Sequence, residues 1–577
     1  MLLVQRGICG RGNLVRAFWK AAALGAAGVL SACDGSSSNV NLADSHVTEG
    51  LVNVSVANAG KSASESQISD VIRLSRQASF GPTPDMLNQI GTLGTAGWID
   101  KQLTTTGSTY ADLAVARRSE TCGSNVTCLH RYFSRYTVAM RFFADAVSAP
   151  DQLRQRVAFA LSQTIVASEQ EVHNTAGLAQ FNQLFLTHAF GNYRSLLKAV
   201  TLNAYMGDYL DMADSSKAAP SENYARELLQ LFSMGPNQLN ANGTPRRDAT
   251  GATVPNYGPD DIRGIARALT GWTYARIGNA GLRDQTARDY VRPMIPVPDR
   301  YDAGEKLFLG TRVPAGASQQ ASVDAVVDAA FNHPSTGPFV AKHLIVHLVT
   351  ANPTPEYVGR IAAVFANNGS GVRGDLKAVV RAILTDPEAR TAPRTDSGKL
   401  KEPVLAMVAL ARTIGMTTDG YAFIANDAAL GQPVMRAPSV FNFYPIDYPL
   451  PGSSTLRSPA AKLLNSSTVL RLNNFVYGWT SASDRQPAQF RTPSGLGATP
   501  GTKLVWSTWE SFGDNVDAMV AAVDVLMLGN SATPAQRSAM RQAALAIKDT
   551  NPRLRARKRA QMLLNIAGTS PQFLVDR

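Results

Sequence analysis

The sequence predicts a mainly α-helical protein, a large multi-helical body with a short β-hairpin insert and long irregular loops. Three observations carry this. From about residue 67 onward, apolar residues recur three and four apart, the spacing of a helix face packed on a core. No stretch alternates apolar and polar residues strictly enough for a run of strands. Clusters of Gly, Pro and Asn divide the helical pattern at intervals that suit helices and turns.

The first 32 residues stand apart. Arg6, Arg11, Arg16 and Lys20 precede an apolar run, Ala21 to Leu30, and no acid occurs among them. That run has the length of a signal-peptide core and is too short to span a bilayer. It ends in Leu30-Ser31-Ala32-Cys33, which resembles a bacterial lipobox, so Cys33 is the expected lipidation site and 1–32 a lipoprotein signal peptide. Residues 34–66 are rich in Ser, Asn, Ala and Gly; with Cys33 they read as a flexible tether holding a body, 67–577, off a membrane. The expected location is therefore the cell envelope, periplasmic or surface-facing. The net charge of +12 falls to +8 without the leader, since 52 basic residues then face 44 acids. Such an excess suits nucleic acid, but export excludes that partner. Cys122 and Cys128 are an even pair outside the cytoplasm, and a disulfide is expected. Haem attachment is excluded by spacing, because five residues separate the cysteines and His130 does not follow Cys128 directly.

The body opens with a helix from about Ile68 that ends at Phe80-Gly81. Thr83-Pro84-Asp85 starts the next, with Thr as N-cap, Pro in the first turn and an acid behind it. A short helix is expected at Trp98 to Leu103, then longer ones over 129–147, 151–168, 178–189 and 192–202. After them comes the stretch from Glu222 to Thr273, two amphipathic helices around an insert, 239–257, whose Asn242-Gly243 and Thr250-Gly251 predict a hairpin or paired turns. On the first helix Tyr224, Leu228, Leu231 and Phe232 form the apolar stripe, and Glu222 can pair with Arg226 at the surface. Glu227 lies at the stripe's edge, where a half-buried carboxylate needs a partner. On the second helix Arg263 and Arg267 are four apart and repel unless an anion lies between them. That anion is either Glu227, giving a clamp between helices, or a ligand.

The wording NYARELLQLFSMG followed by ARALTGW resembles the signature of a bacterial family, domain of unknown function 1800. RQASFGPTP, YDAGEKLFLG, GVRGDLKAVVRAILTDPEAR, GQPVMRAPSVFNFYP and TSPQFLVDR match in order, so the resemblance covers the chain from about Ile68 onward. It implies an exported protein and brings no activity with it. It also implies a partner, since genes of this family often lie beside those of domain of unknown function 1501. The family pattern usually carries His before the Asp of its Asp-x-Gly-x-Lys segment, and Tyr301 stands there in this chain.

Residues 274–321 read as a long loop, with Asp302 as candidate ligand or base and Lys306 as candidate anion contact. Asp208 and Asp211 could join Glu227 and Asp302 around a divalent metal, or form an acidic solvated face. A second helical section starts near Ser322, which makes a division of the body near residue 320 one option. His343 and His347 share a helix face, as a metal pair or as core histidines. Helices follow at 355–367, 374–385 and 401–415, with Asp375 of the Arg-Gly-Asp triplet as an N-cap. Residues 431–459 form a Pro- and aromatic-rich arm, whose Ser439 and Ser458 lack a nucleophile elbow. The last helices cover 514–529, 533–548 and 552–567. Arg553, Arg555, Arg557, Lys558 and Arg559 read as a solvated face or a contact to an anionic surface.

Two classes of function remain. One is a binding or assembly factor working with an exported partner, in which Arg226, Arg263, Arg267 and Lys306 hold helices or an anion. The other is an envelope hydrolase or metal-assisted enzyme on an extracellular polymer, with Glu227 and Asp302 as its catalytic carboxylates.

Overall fold

The computed structural model describes residues 65–483, 488–497 and 499–577. The expected signal peptide, Cys33 and residues 34–64 of the expected tether lie outside them, while Glu65 and Ser66 open the helix Glu65–Ala78. The helices begin where capping residues allow. Thr83 Oγ1 accepts from Met86 N at 3.2 Å and opens Pro84–Gln102, and Asp375 caps Leu376–Thr385 by accepting from Ala378 N. Asn174, Asn192, Asn203, Ser318, Thr354, Thr533 and Asn551 do the same for their helices. The short helix expected at Trp98 is continuous with Pro84–Gln102, across a break where Gly94 takes a φ of 70°.

Among the described residues strands occur only as short antiparallel pairs. The insert 239–257 is two nested turns with bridges Leu239–Pro245 and Arg247–Thr253, closed by Gly243 and Gly251 at positive φ. Lys306–Phe308 pairs with Thr311–Val313 and lies against the helix Pro259–Ala268. Gly264 permits that approach, because a Cβ there would stand 2.3 Å from the carbonyl oxygen of Leu307. Val575–Asp576 pairs with Lys399–Leu400, so TSPQFLVDR is knitted to the segment before the helix Pro403–Ile414. The helices Tyr136–Ser148, Gln152–Thr164, Thr336–Leu348, Pro403–Ile414 and Pro552–Gly568 all feed one hydrophobic core, which runs from Val71 to Phe573 and draws on both sides of residue 320. None of the described helices is long and apolar enough to cross a membrane.

Other features differ from expectation. The helix expected over 129–147 is two, Val126–Tyr132 and Tyr136–Ser148. Ser466–Thr480 is a helix that buries Leu472, Phe475, Val476 and Trp479 against Pro552–Gly568. The basic cluster on Pro552–Gly568 is solvated only in part, at Arg553 and Lys558, and each of its cations has an acidic partner. Arg553 and Arg557 pair with Glu510, Arg555 and Arg559 with Asp514, and Lys558 with Asp549, while Arg557 and Arg559 are themselves buried.

Arg135 and Asp427 form a buried bidentate pair at 2.6 and 2.8 Å, joining the start of Tyr136–Ser148 to the end of Tyr421–Asp427. Asp427→Asn strands the Arg135 guanidinium without its counter-charge. Urea unfolding is expected to show a loss of about 3–5 kcal/mol, largely recovered in the apolar double variant Arg135→Met, Asp427→Leu.

Candidate functional site

The two amphipathic helices are Asn223–Gln230 and Pro259–Ala268, packed through Tyr224, Leu228, Ile262 and Ile265. Their charges do not form the expected clamp. Arg226 pairs with Glu222 at 3.0 Å on the surface. Arg263 turns to the exposed Asp260 in its own first turn. Arg267 reaches forward to Asp302, with Nε 2.7 Å from Oδ2. Glu227 meets neither arginine, and its buried Oε2 has no hydrogen-bond partner. The repulsion between Arg263 and Arg267 is thus relieved by one aspartate for each. Burial pushes the Glu227 carboxyl above its usual range, against a smaller pull downward from Arg226.

Asp302 is held rather than poised. Besides Arg267 it accepts from Gly304 N at 2.9 Å, and its own amide donates to Thr270 Oγ1. The Arg267 hydrogen bond holds its carboxyl below the usual range. Lys306 is buried, donates to Tyr301 Oη at 3.0 Å and to the carbonyl oxygen of Asp302, and lies over the Tyr301 ring. The Tyr301 hydroxyl also meets Ser322 Oγ at 2.6 Å. The segment YDAGEK therefore acts as a clip that pins a loop onto the helices.

The proposed metal set does not assemble. Asp208 accepts from Tyr274 Oη at 2.7 Å and Tyr290 Oη at 2.6 Å, Asp211 from the side chain of Asn223, and Asp302 is taken by Arg267. Among the described residues no three His, Cys, Asp or Glu side chains converge to hold a metal ion. His347 is buried and His343 partly so, with His343 Nδ1 2.8 Å from the carbonyl oxygen of Phe339. Burial pushes both imidazoles down, His343 to about 4.

A surface groove of about 360 Å³ lies away from Glu227, Asp302 and Lys306. One wall comes from residues 112–120, the other from 171–176 and 285–291, and the helix Val126–Tyr132 closes an end. Arg117, Arg131, Glu120, Glu171, Tyr290 and Asp208 line it. The Cys122–Cys128 disulfide, with Cα atoms 5.4 Å apart, adjoins it and ties the helix to the loop before it. Thr175 Oγ1 donates to the carbonyl oxygen of Ser134 at 2.6 Å and fixes the opposite rim. The only signal of this groove in the sequence was the cysteine pair.

The family model described as "Protein of unknown function (DUF1800)" matches residues 73–575. The chain belongs to this family. The match spans the clip, the two amphipathic helices and the walls of the groove. No curated protein and no solved structure matches the chain.

Glu227 and Asp302 should respond oppositely to loss of charge. The folded chain holds the Glu227 proton more tightly than the unfolded one, so this group's contribution falls as pH rises above the ordinary value of 4.5. Glu227→Gln is expected to match or exceed the parent's melting temperature at pH 7, with the gap closing as pH falls toward 4.5. Asp302→Asn is expected to lose about 1–2 kcal/mol at pH 7, because it weakens a charged hydrogen-bond set. Thermal and urea unfolding across pH 4–8 checks both.

Proposed function

We propose that this member of the DUF1800 family is an exported, lipid-anchored binding or assembly factor, with the groove beside the Cys122–Cys128 disulfide as its ligand-holding face. The observation that carries the reading is the use of its carboxylates. Asp302 is engaged by Arg267, Asp208 by two tyrosines, and Asp214 by Arg288 and Arg300. A hydrolytic site needs at least one acid–base pair free to exchange protons. Glu227 is the one acid of the central stretch with an unpartnered buried oxygen, and the alternative of a hydrolase rests on it or on Glu120 and Glu171, which line the groove. The groove instead offers mixed charge and aromatic surface, which suits recognition.

Export is supported by the basic leader, the apolar run and the Leu-Ser-Ala-Cys sequence ending at Cys33. A disulfide fits an oxidising compartment. The partner we favour is an exported protein of the domain of unknown function 1501 family.

The test is calorimetric titration of the full chain, purified in detergent, with an exported protein of the 1501 family from the same genome. The double variant Arg117→Glu, Arg131→Glu is expected to weaken binding by at least about tenfold at an unchanged melting temperature. Unchanged affinity would remove the groove from the reading, and no binding by the parent would remove the partner.

A further inference from the structure

A second polar centre lies inside the core, far in sequence from the central stretch. Arg156, on Gln152–Thr164, and Lys399, at the start of the strand Lys399–Leu400, both donate to one acceptor, the carbonyl oxygen of His347, each at 2.6 Å. That carbonyl belongs to the last turn of Thr336–Leu348, where helix carbonyls lack partners and carry partial negative charge. One carbonyl satisfies two cations geometrically but does not neutralise them. Arg156 is fully buried, and its Nε and Nη1 have no partner. His347 is 6% exposed, and its Nε2 likewise has none.

The surrounding charge is unbalanced. Arg76, Arg156, Lys399 and Lys401 are all buried here, against Asp576 and Glu402; the buried Asp524 also acts on Arg76 but is paired with Arg537. Asp576 is committed to Lys401 at 2.7 Å. Glu402 Oε2 accepts from Tyr444 Oη and from the side chain of Gln432. Burial, then repulsion from Arg156, pushes the Lys399 ammonium down to about 7, while Asp576 and Glu402 pull the other way. An enclosed excess of cationic groups either sheds protons or takes up an anion.

A small cavity adjoins these groups. It holds about 20 Å³ and is lined by His347, Lys399, Glu402 and Tyr444, with Leu405 and Pro459 among its apolar walls. That volume is enough for one water-sized particle and favours a small ion over phosphate or a sugar acid. We infer that this cavity seats one small monovalent anion, chloride being the common one of suitable size, held by Lys399 and the His347 imidazole with Arg156 behind them. The apolar part of the lining, Leu405 and Pro459 among it, lowers the local dielectric and strengthens the attraction. Glu402 repels such an ion, but its Oε2 is turned to the Tyr444 and Gln432 donors.

The probe is chloride itself, added to the full chain purified in chloride-free buffer. Sodium chloride is expected to raise the melting temperature saturably, by on the order of 3 °C at about a hundredfold excess over Kd, beyond sodium gluconate at equal ionic strength. In Lys399→Met the chloride-specific part is expected to vanish, while removal of a buried charge leaves the chain folded. A bromide soak of crystals of the parent gives a second readout that does not depend on the variant folding, and anomalous density beside Lys399 Nζ is expected. Equal shifts from chloride and gluconate, a full chloride shift in a folded Lys399→Met, or a cavity without bromide at saturating concentration would each overturn the assignment.

Discussion

Asp576 stands between the buried Lys401 and Arg76 and supplies the counter-charge they share, beside the backbone carbonyls of Phe573 and Met527. Its carboxylate is 2.7 Å from Lys401 Nζ and 3.9 Å from Arg76 Nη1, and all three side chains are buried. Burial alone would lift the Asp576 carboxyl, but Lys401, Arg76 and Lys399 outweigh it and hold the group below the usual range. The pairing of Val575–Asp576 with Lys399–Leu400 sets that carboxylate in place. Arg76, from RQASFGPTP, also donates to the carbonyl oxygen of Met527, so the first described helix is fixed to the last group of helices through the same charge. Hydrophobic burial supplies most of the stabilisation and is indifferent to register. The Asp576 contacts choose one arrangement among many that would bury similar area.

The same device recurs at the surface on a smaller scale. Residues 274–321 contain few helical turns and would be costly to order. They are held by carboxylate hubs. Asp214 takes Arg288, Arg300 and Thr273; Asp289 takes Arg292; Asp302 takes Arg267. Much of the chain's basic excess is used in this way, and the cluster from Arg553 to Arg559 is bound to Glu510, Asp514 and Asp549. A positive count in sequence therefore did not translate into a positive surface at the place where it was densest.

Local features of the sequence proved readable. Thr83-Pro84, Asp375 and the periodicity of the amphipathic helices fixed helix starts and faces, because caps and spacing act within one turn. The helix Ser466–Thr480 had a comparable signal, Asn465 with Thr468 as a capping box and Leu472, Phe475, Val476 and Trp479 on one face. Beyond the pair Glu222–Arg226, one helical turn apart, the partners of charges were not readable. Arg263 and Arg267 four apart suggested a shared anion, but whether Glu227 could reach them depended on how two helices crossed. The buried centre was harder still. Arg76, Arg156, His347, Lys399 and Asp576 stand far apart in sequence, and lone lysines ordinarily mark solvent. Only three-dimensional packing brings them together, although Arg76, Gln432, Tyr444 and Asp576 each fall within stretches that carry the family resemblance.

The groove differs from both centres in how its walls are held. The helix Val126–Tyr132 buries none of its residues, and Val126 and Leu129 are exposed. Hydrophobic packing of that kind cannot keep seven residues helical in water. The Cys122–Cys128 link, the Asn125 cap on Cys128 N and the stacking of His130 on Tyr136 do so instead. The facing loop is tied by Asp284 to Arg118 and by Thr286 to the Ser119 amide. Both rims are thus ordered by covalent and polar ties before any ligand arrives. Ordering a flexible rim on binding subtracts from affinity, and here much of that ordering is already complete. For the recognition role proposed above, rims held in this way lower the cost of binding, while Glu227 in the central stretch keeps a buried carboxyl oxygen without a partner.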